Sequence, residues 1–236
     1  MSDQINQQAI DPATSPAASH GGLKVGLIPD GARRWARALK VPFDEAYWLS
    51  MNNICRLADF LFSEGCQIFC VYGLSKENLQ RNAHDLDPVI RAETRLCAEL
   101  LPRLAEKWAI NMELAGHLEQ VPPMLAGASR QLHEQSKQYR SGRSMYLLLG
   151  YDPLEEVGHA LLSGGSDSDW TKRLWVPHRL DLIVRTSGEM RLSNFLPLQS
   201  TYAELFFLDK HFNEVTTQDL AQVLRDFRAR SRRFGV

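Results

Sequence analysis

Short apolar runs alternate with longer segments of helical spacing along this chain, and this alternation limits its fold more than any other feature. The apolar or β-branched runs are 23–29, 67–73, 110–115, 143–149, 181–185 and 203–208. Apolar residues recur at three- and four-residue spacing in 44–64, 84–107, 123–140, 153–162 and 217–231. Strands that alternate with helices form parallel sheets covered by helices. The pattern therefore predicts an α/β domain with a central, mostly parallel six-stranded sheet flanked by helices.

Length and composition favour one domain of this kind. The chain has 236 residues, of which 44% are apolar, and this is enough for one large core. Residues 1–22 are polar, small and interrupted by Pro and Gly, so we expect a disordered leader followed by a single domain over 23–236. Because no stretch of about 18 consecutive apolar residues occurs, no membrane span is predicted.

Charge and short motifs exclude several classes of function. The formal net charge is −1, so no global basic field attracts nucleic acid and any anion site has to be local. The four cysteines form no CxxC pair, which predicts buried, reduced thiols in a cytoplasmic protein. The histidines lack metal-binding spacing. Patterns typical of Rossmann, P-loop and serine-hydrolase sites are also missing from the sequence.

Three polar clusters each begin where a predicted strand ends. The first is PDGARRW from residue 29, the second is RTSGEMRLSN from residue 185 and the third is SKENLQR from residue 75. Ligands of open parallel sheets bind at the carboxyl ends of the strands. We therefore expect the three clusters to share one rim of the sheet.

The first cluster has the residue types of an anion site. Gly31 allows the backbone to turn closely around a ligand, and Arg33 and Arg34 supply forked donors for phosphate oxygens. A phosphate beside the carboxylate of Asp30 requires a cation between them, which indicates Mg²⁺. The alternative is that Asp30 caps the next helix while both arginines face solvent. The stretch alone fits both interpretations.

The other two clusters also have two interpretations each. Arg185, Arg191 and Ser193 surround a glycine turn and could clamp a diphosphate through charge-assisted hydrogen bonds, or they could form an ordinary strand exit with ion-paired arginines. In the segment 75–81, a hydroxyl, an amide and a guanidinium could organise a phosphate or a proton route. Alternatively, Ser75 caps a helix there.

At these clusters the sequence resembles the cis-prenyltransferase family, whose members make undecaprenyl diphosphate or shorter Z-polyprenyl diphosphates. The family has a DGNGRWA-like turn, an SxENW segment followed by Arg, a late RTxGExRxSNF block and a basic RRFG ending. The matching segments here are DGARRWA at 30–36, SKENLQR at 75–81, RTSGEMRLSNFLPLQSTYAELFF at 185–207 and RRFG at 232–235. The resemblance thus spans nearly the whole chain after the leader.

The resemblance implies a single α/β domain, usually a homodimer, with a hydrophobic tunnel for the prenyl tail and isoprenoid diphosphates as substrates. It implies that Asp30 binds Mg²⁺ and that Glu204, on the neighbouring strand, helps to hold the metal. The positions that match diphosphate-binding residues are Gly31, Arg33, Arg34, Arg185, Arg191 and Ser193. The positions that match the segment for substrate positioning and proton transfer are Ser75, Asn78 and Arg81.

Several departures from the family pattern narrow the prediction. Ala32 replaces the asparagine of the DGN turn, Leu79 replaces a tryptophan, and VPFDEAYWLS at 41–50 replaces the FGH element of chain-elongating members. The combination of PDGxRRW, an acidic DExY segment and PLxSxYAE resembles the lavandulyl and cyclolavandulyl diphosphate synthase branch. Members of that branch join two allylic units head-to-middle.

The sequence therefore predicts a Mg²⁺-dependent prenyltransferase that joins C5 or C10 allylic diphosphates into a branched product, with cyclisation left open. Two alternatives remain at this point. One is regular cis elongation with isopentenyl diphosphate to a short product. The other is a non-catalytic subunit that stabilises an active homologue.

Overall fold

The computed structural model of the protein describes residues 22–164 and 169–231. The predicted leader, apart from Gly22, and the RRFG segment lie outside the described residues. Within the described ranges, no helix combines the length and the apolar character needed to cross a membrane.

Six strands form one sheet in the order β3-β4-β2-β1-β5-β6, and every neighbouring pair is parallel. The strands are β1 (Leu23–Ile28), β2 (Cys66–Ser75), β3 (Asn111–Ala115), β4 (Ser144–Tyr151), β5 (Leu182–Arg185) and β6 (Glu204–Phe207). The predicted α/β class and the six-stranded parallel sheet are confirmed. All four residues of β5 are buried, as expected for an interior parallel strand covered on both faces.

Helices connect the strands. They are α1 (Ala32–Leu39), α2 (Phe43–Ser63), α3 (Ala83–Arg95), α4 (Leu101–Trp108), α5 (Pro123–Ser136), α6 (Pro153–Leu162) and α7 (Thr217–Ala229). The predicted helix over 84–107 is interrupted, because a π-helical segment, Leu96–Leu100, joins α3 to α4. In the PDGARRW stretch a helix begins at Ala32, directly after a left-handed Gly31 with φ of 104°.

The strand order creates a crevice beside β1. From β1 the chain continues to β2 on one side, and it returns only later to β5 on the other side. Such reversals of strand order open a crevice at the carboxyl ends of the strands. Since Ile28 pairs with Arg185, the segments that follow β1 and β5 emerge next to each other. The first and second polar clusters therefore meet at this point.

The two faces of the sheet have separate apolar cores. The larger core lies among α2, α3, α5 and the sheet, while the smaller core on the other face contains Phe195 and Tyr151, both fully buried. Three of the four cysteines are buried and none forms a disulfide. Burial raises the pKa of the Cys66 thiol to about 12, so this thiol stays protonated.

The ring of Phe195 leaves no room for a side chain on the central strand. A Cβ added at Gly26 would lie 2.7 Å from Cε1 of Phe195 and 2.9 Å from Cδ1 of Leu180. Gly26→Ala should therefore lower the free energy of unfolding by about 1–3 kcal/mol, the usual cost of overpacking a core. Urea denaturation measures this change.

Gly158 provides the matched control, since it lies inside α6 and a Cβ there would meet nothing within 4 Å. Gly158→Ala should leave the free energy of unfolding unchanged or raise it by up to about 1 kcal/mol, through helix propensity. Equal effects of the two substitutions would contradict the close packing of Phe195 on β1.

Candidate active site

Asp30 is fixed between the ends of β1 and β5. The hydroxyl of Thr186 accepts a hydrogen bond from the Asp30 amide at 2.8 Å and donates one to the Asp30 carbonyl at 2.7 Å. The Asp30 carbonyl also accepts from the amide of Phe212 at 3.1 Å. The backbone around this aspartate is therefore held from two directions, which orients its carboxylate into the crevice.

The Asp30 carboxylate is paired with two arginines. Nη2 of Arg185 lies 3.0 Å from one of its oxygens, and Nη2 of Arg34 lies 3.3 Å from the other. Burial works to raise the pKa of Asp30, but the hydrogen bond and charge of Arg185, together with the charge of Arg34, hold that pKa below its usual range. Asp30 is therefore ionised at neutral pH, as a metal ligand has to be.

Gly31 is required by both backbone conformation and space. At its φ of 104°, an added Cβ would lie 2.5 Å from Oγ of Ser187 and 2.7 Å from Nδ1 of His211. These two side chains are hydrogen-bonded to each other at 2.7 Å. Neither was identified from the sequence. Ser187 lies inside the RTSGEMR motif, whereas His211 is a lone histidine with no spacing pattern.

The arginines of α1 have carboxylate partners in the structure. Arg33 donates to Asp85 at 2.6 Å, and Arg34 donates to Glu189 at 2.6 Å. Glu189 also forms an ion pair with Arg191. The guanidinium groups are thus oriented around the crevice by ion pairs. A bound anion would replace some of these carboxylates as the partner of the guanidinium groups.

The second cluster is built around Arg185, whose side chain is only 4% exposed. Its Nη1 donates to Oγ of Ser193 at 2.9 Å and to the carbonyl of Arg191. Ser187 and Ser193 both have positive φ, at 74° and 48°. Non-glycine residues adopt this conformation at a cost and are often found where a loop is shaped around a ligand. The structure therefore brings Arg185, Arg191 and Ser193 together, as predicted.

The third cluster lies on the same crevice. Oγ of Ser75 accepts a hydrogen bond from the amide of Asn78 at 3.2 Å, in the short 3-10 helix Glu77–Gln80, although the N-cap position of that helix is Lys76. Burial, followed by the charge of Arg33, lowers the pKa of Arg81. Among the described residues, no carboxylate lies within ion-pair distance of Arg81. This cation is therefore half-buried without a compensating partner.

Together the three clusters line a cleft of about 540 Å³. Its charged residues are six arginines and two carboxylates: Arg33, Arg34, Arg37, Arg81, Arg185, Arg191, Asp30 and Glu189. Arg37 was not predicted, although its spacing of three and four residues from Arg34 and Arg33 places it on the same side of α1. This excess of positive charge suits a polyanionic ligand.

The residues around Asp30 fit a magnesium ion only when the ligand supplies most of the donors. Within the described parts of the chain, no group of three or more His, Cys, Asp or Glu side chains could hold a metal. Mg²⁺ is commonly bound by one or two carboxylates together with substrate phosphates and water. Asp30 beside a diphosphate provides such a donor set.

Glu204 is not brought to this site. It pairs with Leu182 at the start of β5, three positions before the Phe207–Arg185 pair at the end where Asp30 lies. Its carboxylate binds Arg230 at 2.5 Å. The prediction that Glu204 shares a metal with Asp30 is thus not met within one protomer, because the register of β6 places it at the other end of the strand.

The cleft continues into a small apolar pocket between α2, α3 and β2. This tail pocket has a volume of about 50 Å³ and is lined by Pro29, Ala32, Tyr47, Ser50, Met51, Ile54, Tyr72, Gly73, Val89 and Glu93. Since a water-sized group needs roughly 10–15 Å³ of such space, the pocket holds about three to five groups of that size. No long hydrophobic tunnel is present among the described residues at this place.

Comparison with known proteins identifies the family. A family model described as putative undecaprenyl diphosphate synthase matches residues 28–235. An undecaprenyl-diphosphate synthase of Methanopyrus kandleri, described as geranylgeranyl-diphosphate specific, is 32% identical and is aligned over 89% of this chain and 83% of its own. The farnesyl-diphosphate-specific enzyme of Micrococcus luteus is 26% identical, over 89% of this chain and 90% of its own.

A solved structure shares the fold. Lavandulyl diphosphate synthase from Lavandula x intermedia, in complex with dimethylallyl diphosphate, superimposes with a TM-score of 0.83 at 24% identity, over 91% of this chain and 98% of its own. The matched range of the family model contains the last residue of β1, the strands β2 to β6 and all three polar clusters. The chain therefore belongs to the undecaprenyl diphosphate synthase family, the cis-prenyltransferases.

Proposed function

We propose that this protein is a Mg²⁺-dependent prenyltransferase that couples two short allylic diphosphates head-to-middle into a branched prenyl diphosphate. The observation that carries the proposal is the combination of a cleft charged for two diphosphates with a tail pocket of about 50 Å³. A product that grew by repeated elongation would need apolar space for each added unit. The pocket has room for one short tail.

The cationic groups lie on two sides of the cleft. Arg33, Arg34 and Arg37 belong to α1, while Arg185 is the last residue of β5 and Arg191 lies in the segment that follows it. Nε of Arg185 is buried and has no acceptor among the described residues. Two separate sets of forked donors support the binding of two diphosphates, one on each side of Asp30.

The coupling reaction follows from this distribution of charge. The bond between the first carbon and oxygen of one allylic diphosphate breaks, and diphosphate leaves with the electron pair. The alkene of the second substrate attacks that carbon with its π electrons, and loss of a proton from the resulting cation forms the new double bond. Arg33, Arg34 and Arg81 stabilise the charge that develops on the leaving diphosphate. Mg²⁺, when bound at Asp30, supplies Lewis-acid stabilisation of the same group.

Regular cis elongation with isopentenyl diphosphate is the second candidate. It is favoured by the descriptions of the sequence relatives, which are undecaprenyl-diphosphate synthases specific for geranylgeranyl or farnesyl diphosphate. A farnesyl or geranylgeranyl tail, however, exceeds the space that Tyr47, Met51 and Ile54 leave beside Ala32. This crowding favours the coupling of five-carbon units. As in other members of the family, we expect the protein to act as a homodimer.

Asp30→Asn tests the metal-binding role. The amide keeps the size of the side chain but removes its charge, so turnover should fall by about 10²–10³-fold, as for other losses of transition-state charge stabilisation. Steady-state release of diphosphate at saturating Mg²⁺ measures the effect. Asp59→Asn is the matched control, because Asp59 forms an exposed ion pair with Lys107 away from the cleft and should keep the original rate. Full turnover by Asp30→Asn would overturn the assignment.

Incubation with dimethylallyl diphosphate alone tests the type of coupling. Head-to-middle joining needs no isopentenyl diphosphate, so we expect a C10 branched diphosphate, identified by mass spectrometry and NMR after dephosphorylation. Product only when isopentenyl diphosphate is added would establish regular elongation instead. No product from any C5–C15 pair, together with tight binding to a second chain, would indicate a non-catalytic subunit.

A further inference from the structure

Glu93 is an acidic residue on the apolar side of α3. Its side chain is buried, with only 4% of the residue exposed, and it lines the tail pocket. Its Oε2 has no hydrogen-bond partner within the part of the chain that the structure describes. Buried carboxylates are normally paired, and one left unpaired costs stability. A carboxyl group kept in this position at such a cost points to a function.

The local fold of β2 makes room for this carboxyl group. The register of β2 against β4 shifts between Tyr72 and Leu74, so the strand bulges at Gly73. A Cβ added at Gly73 would lie 2.9 Å from Oε1 of Glu93. Bulges are frequent beside active sites, where they redirect the chain. Here the bulge and the missing side chain together admit the carboxyl group to the pocket.

The tail pocket opens directly from the charged cleft. Six residues line both spaces, namely Pro29, Ala32, Tyr47, Tyr72, Gly73 and Val89. The hydrocarbon parts of bound substrates have to point away from the arginines, and this pocket is the apolar space that adjoins them. Glu93 is therefore the carboxyl group that the reacting carbons would meet beyond the diphosphate sites.

Among the described titratable groups in and around this pocket, Glu93 is the one whose pKa lies near neutral. Burial raises the pKa of Glu93 to about 8, although the charge of Arg81 acts against this rise. Burial raises the pKa of Tyr47 on α2, of Tyr72 on β2 and of Cys97 in the π-helical segment, so all three stay protonated. A proton acceptor works best when its pKa is close to the working pH.

We propose that Glu93 is the general base of the coupling reaction and accepts the proton that the substrate cation loses. This inference rests on the proposed function. The reaction leaves a tertiary cation on the second allylic unit, next to a methyl group. A C–H bond of that methyl group breaks, its electron pair forms the terminal double bond, and the proton passes to the Glu93 carboxylate. The neutral acid then returns the proton to solvent after product release.

Glu93→Gln tests the proposal with little change in shape. With dimethylallyl diphosphate as substrate, kcat should fall by about 10²–10⁴-fold while KM changes little, the usual loss for a missing general base. A cation that is not deprotonated is captured by water, so the variant should also form a tertiary alcohol that is one water heavier than the normal product. Glu93→Asp should recover part of the rate and suppress the alcohol.

The pH profile separates a catalytic from a structural role. For the original protein, kcat/KM should rise with pH and level off above about 8, where Glu93 is ionised. The Glu93→Gln variant should lack this rise. Glu99→Gln is the matched control, because Glu99 lies only six residues further along, in the π-helical segment Leu96–Leu100, and its exposed carboxylate pairs with Arg95. It should keep both the rate and the pH profile.

The outcomes distinguish this inference from the proposed function. If the original protein makes no product from dimethylallyl diphosphate alone, the proposed function fails. If it makes the branched product and Glu93→Gln makes the same product at the same rate and with the same pH profile, the role of Glu93 is refuted. A slower variant that keeps the pH profile and forms no alcohol would also refute it.

Thermal stability provides an independent test that does not depend on activity. The folded-state pKa of Glu93, about 8, lies above the ordinary glutamate value of 4.5, so the folded protein holds a proton that the unfolded chain releases. The contribution of this group to the free energy of unfolding is fully present below pH 4.5 and is lost as the pH rises to about 8. The Tm of Glu93→Gln relative to the original protein should therefore increase between pH 5 and pH 8. A difference that stays constant over this range would show that Glu93 does not titrate there.

Discussion

The pairing of Asp30 with Arg185 is the interaction on which the rest of the site depends. It joins the ends of β1 and β5, which are 155 residues apart in the chain and are placed together only because both strands pair in one register. The arginine is almost fully buried, and an ionised partner is needed to balance its charge there. In the proposed reaction, the same carboxylate would hold a metal beside the diphosphates. The folded structure of the site and the proposed reaction therefore depend on the same Asp30–Arg185 ion pair.

Much of this arrangement could be predicted from the sequence. The alternation of apolar runs and helical segments predicted the parallel sheet, and the position of each polar cluster after a strand predicted that they share one rim. What failed was the placement of individual side chains. Glu204 lies in a motif that resembles a metal-binding segment, but strand register is a long-range property, and here it directs Glu204 to Arg230. Arg33 pairs with Asp85 on another helix, a contact that local spacing does not reveal.

Ala32 shows why the departures from the family pattern matter together. It is the first residue of α1 and is buried against the tail pocket, where Tyr47 and Met51 of α2 face it. At the base of the cleft, the small Ala32 thus packs opposite the large Tyr47 and Met51, and little apolar space remains between them. Glu93 completes this pocket, and the sequence did contain a sign of it: an acid four residues after Val89 and three before Leu96 on an apolar helix face. Such a residue contradicts the helical pattern, and functional sites are where such contradictions are expected.

In the proposed reaction, one protomer binds two allylic diphosphates side by side. Calorimetric titration with dimethylallyl thiodiphosphate, in which sulfur replaces the bridging oxygen and slows ionisation, tests this claim without turnover. In the presence of Mg²⁺ we expect two molecules bound per protomer, and one per protomer after Arg191→Ala removes a cation from the second site. If the original protein binds only one molecule per protomer at every concentration of the analogue, side-by-side binding of two diphosphates is contradicted.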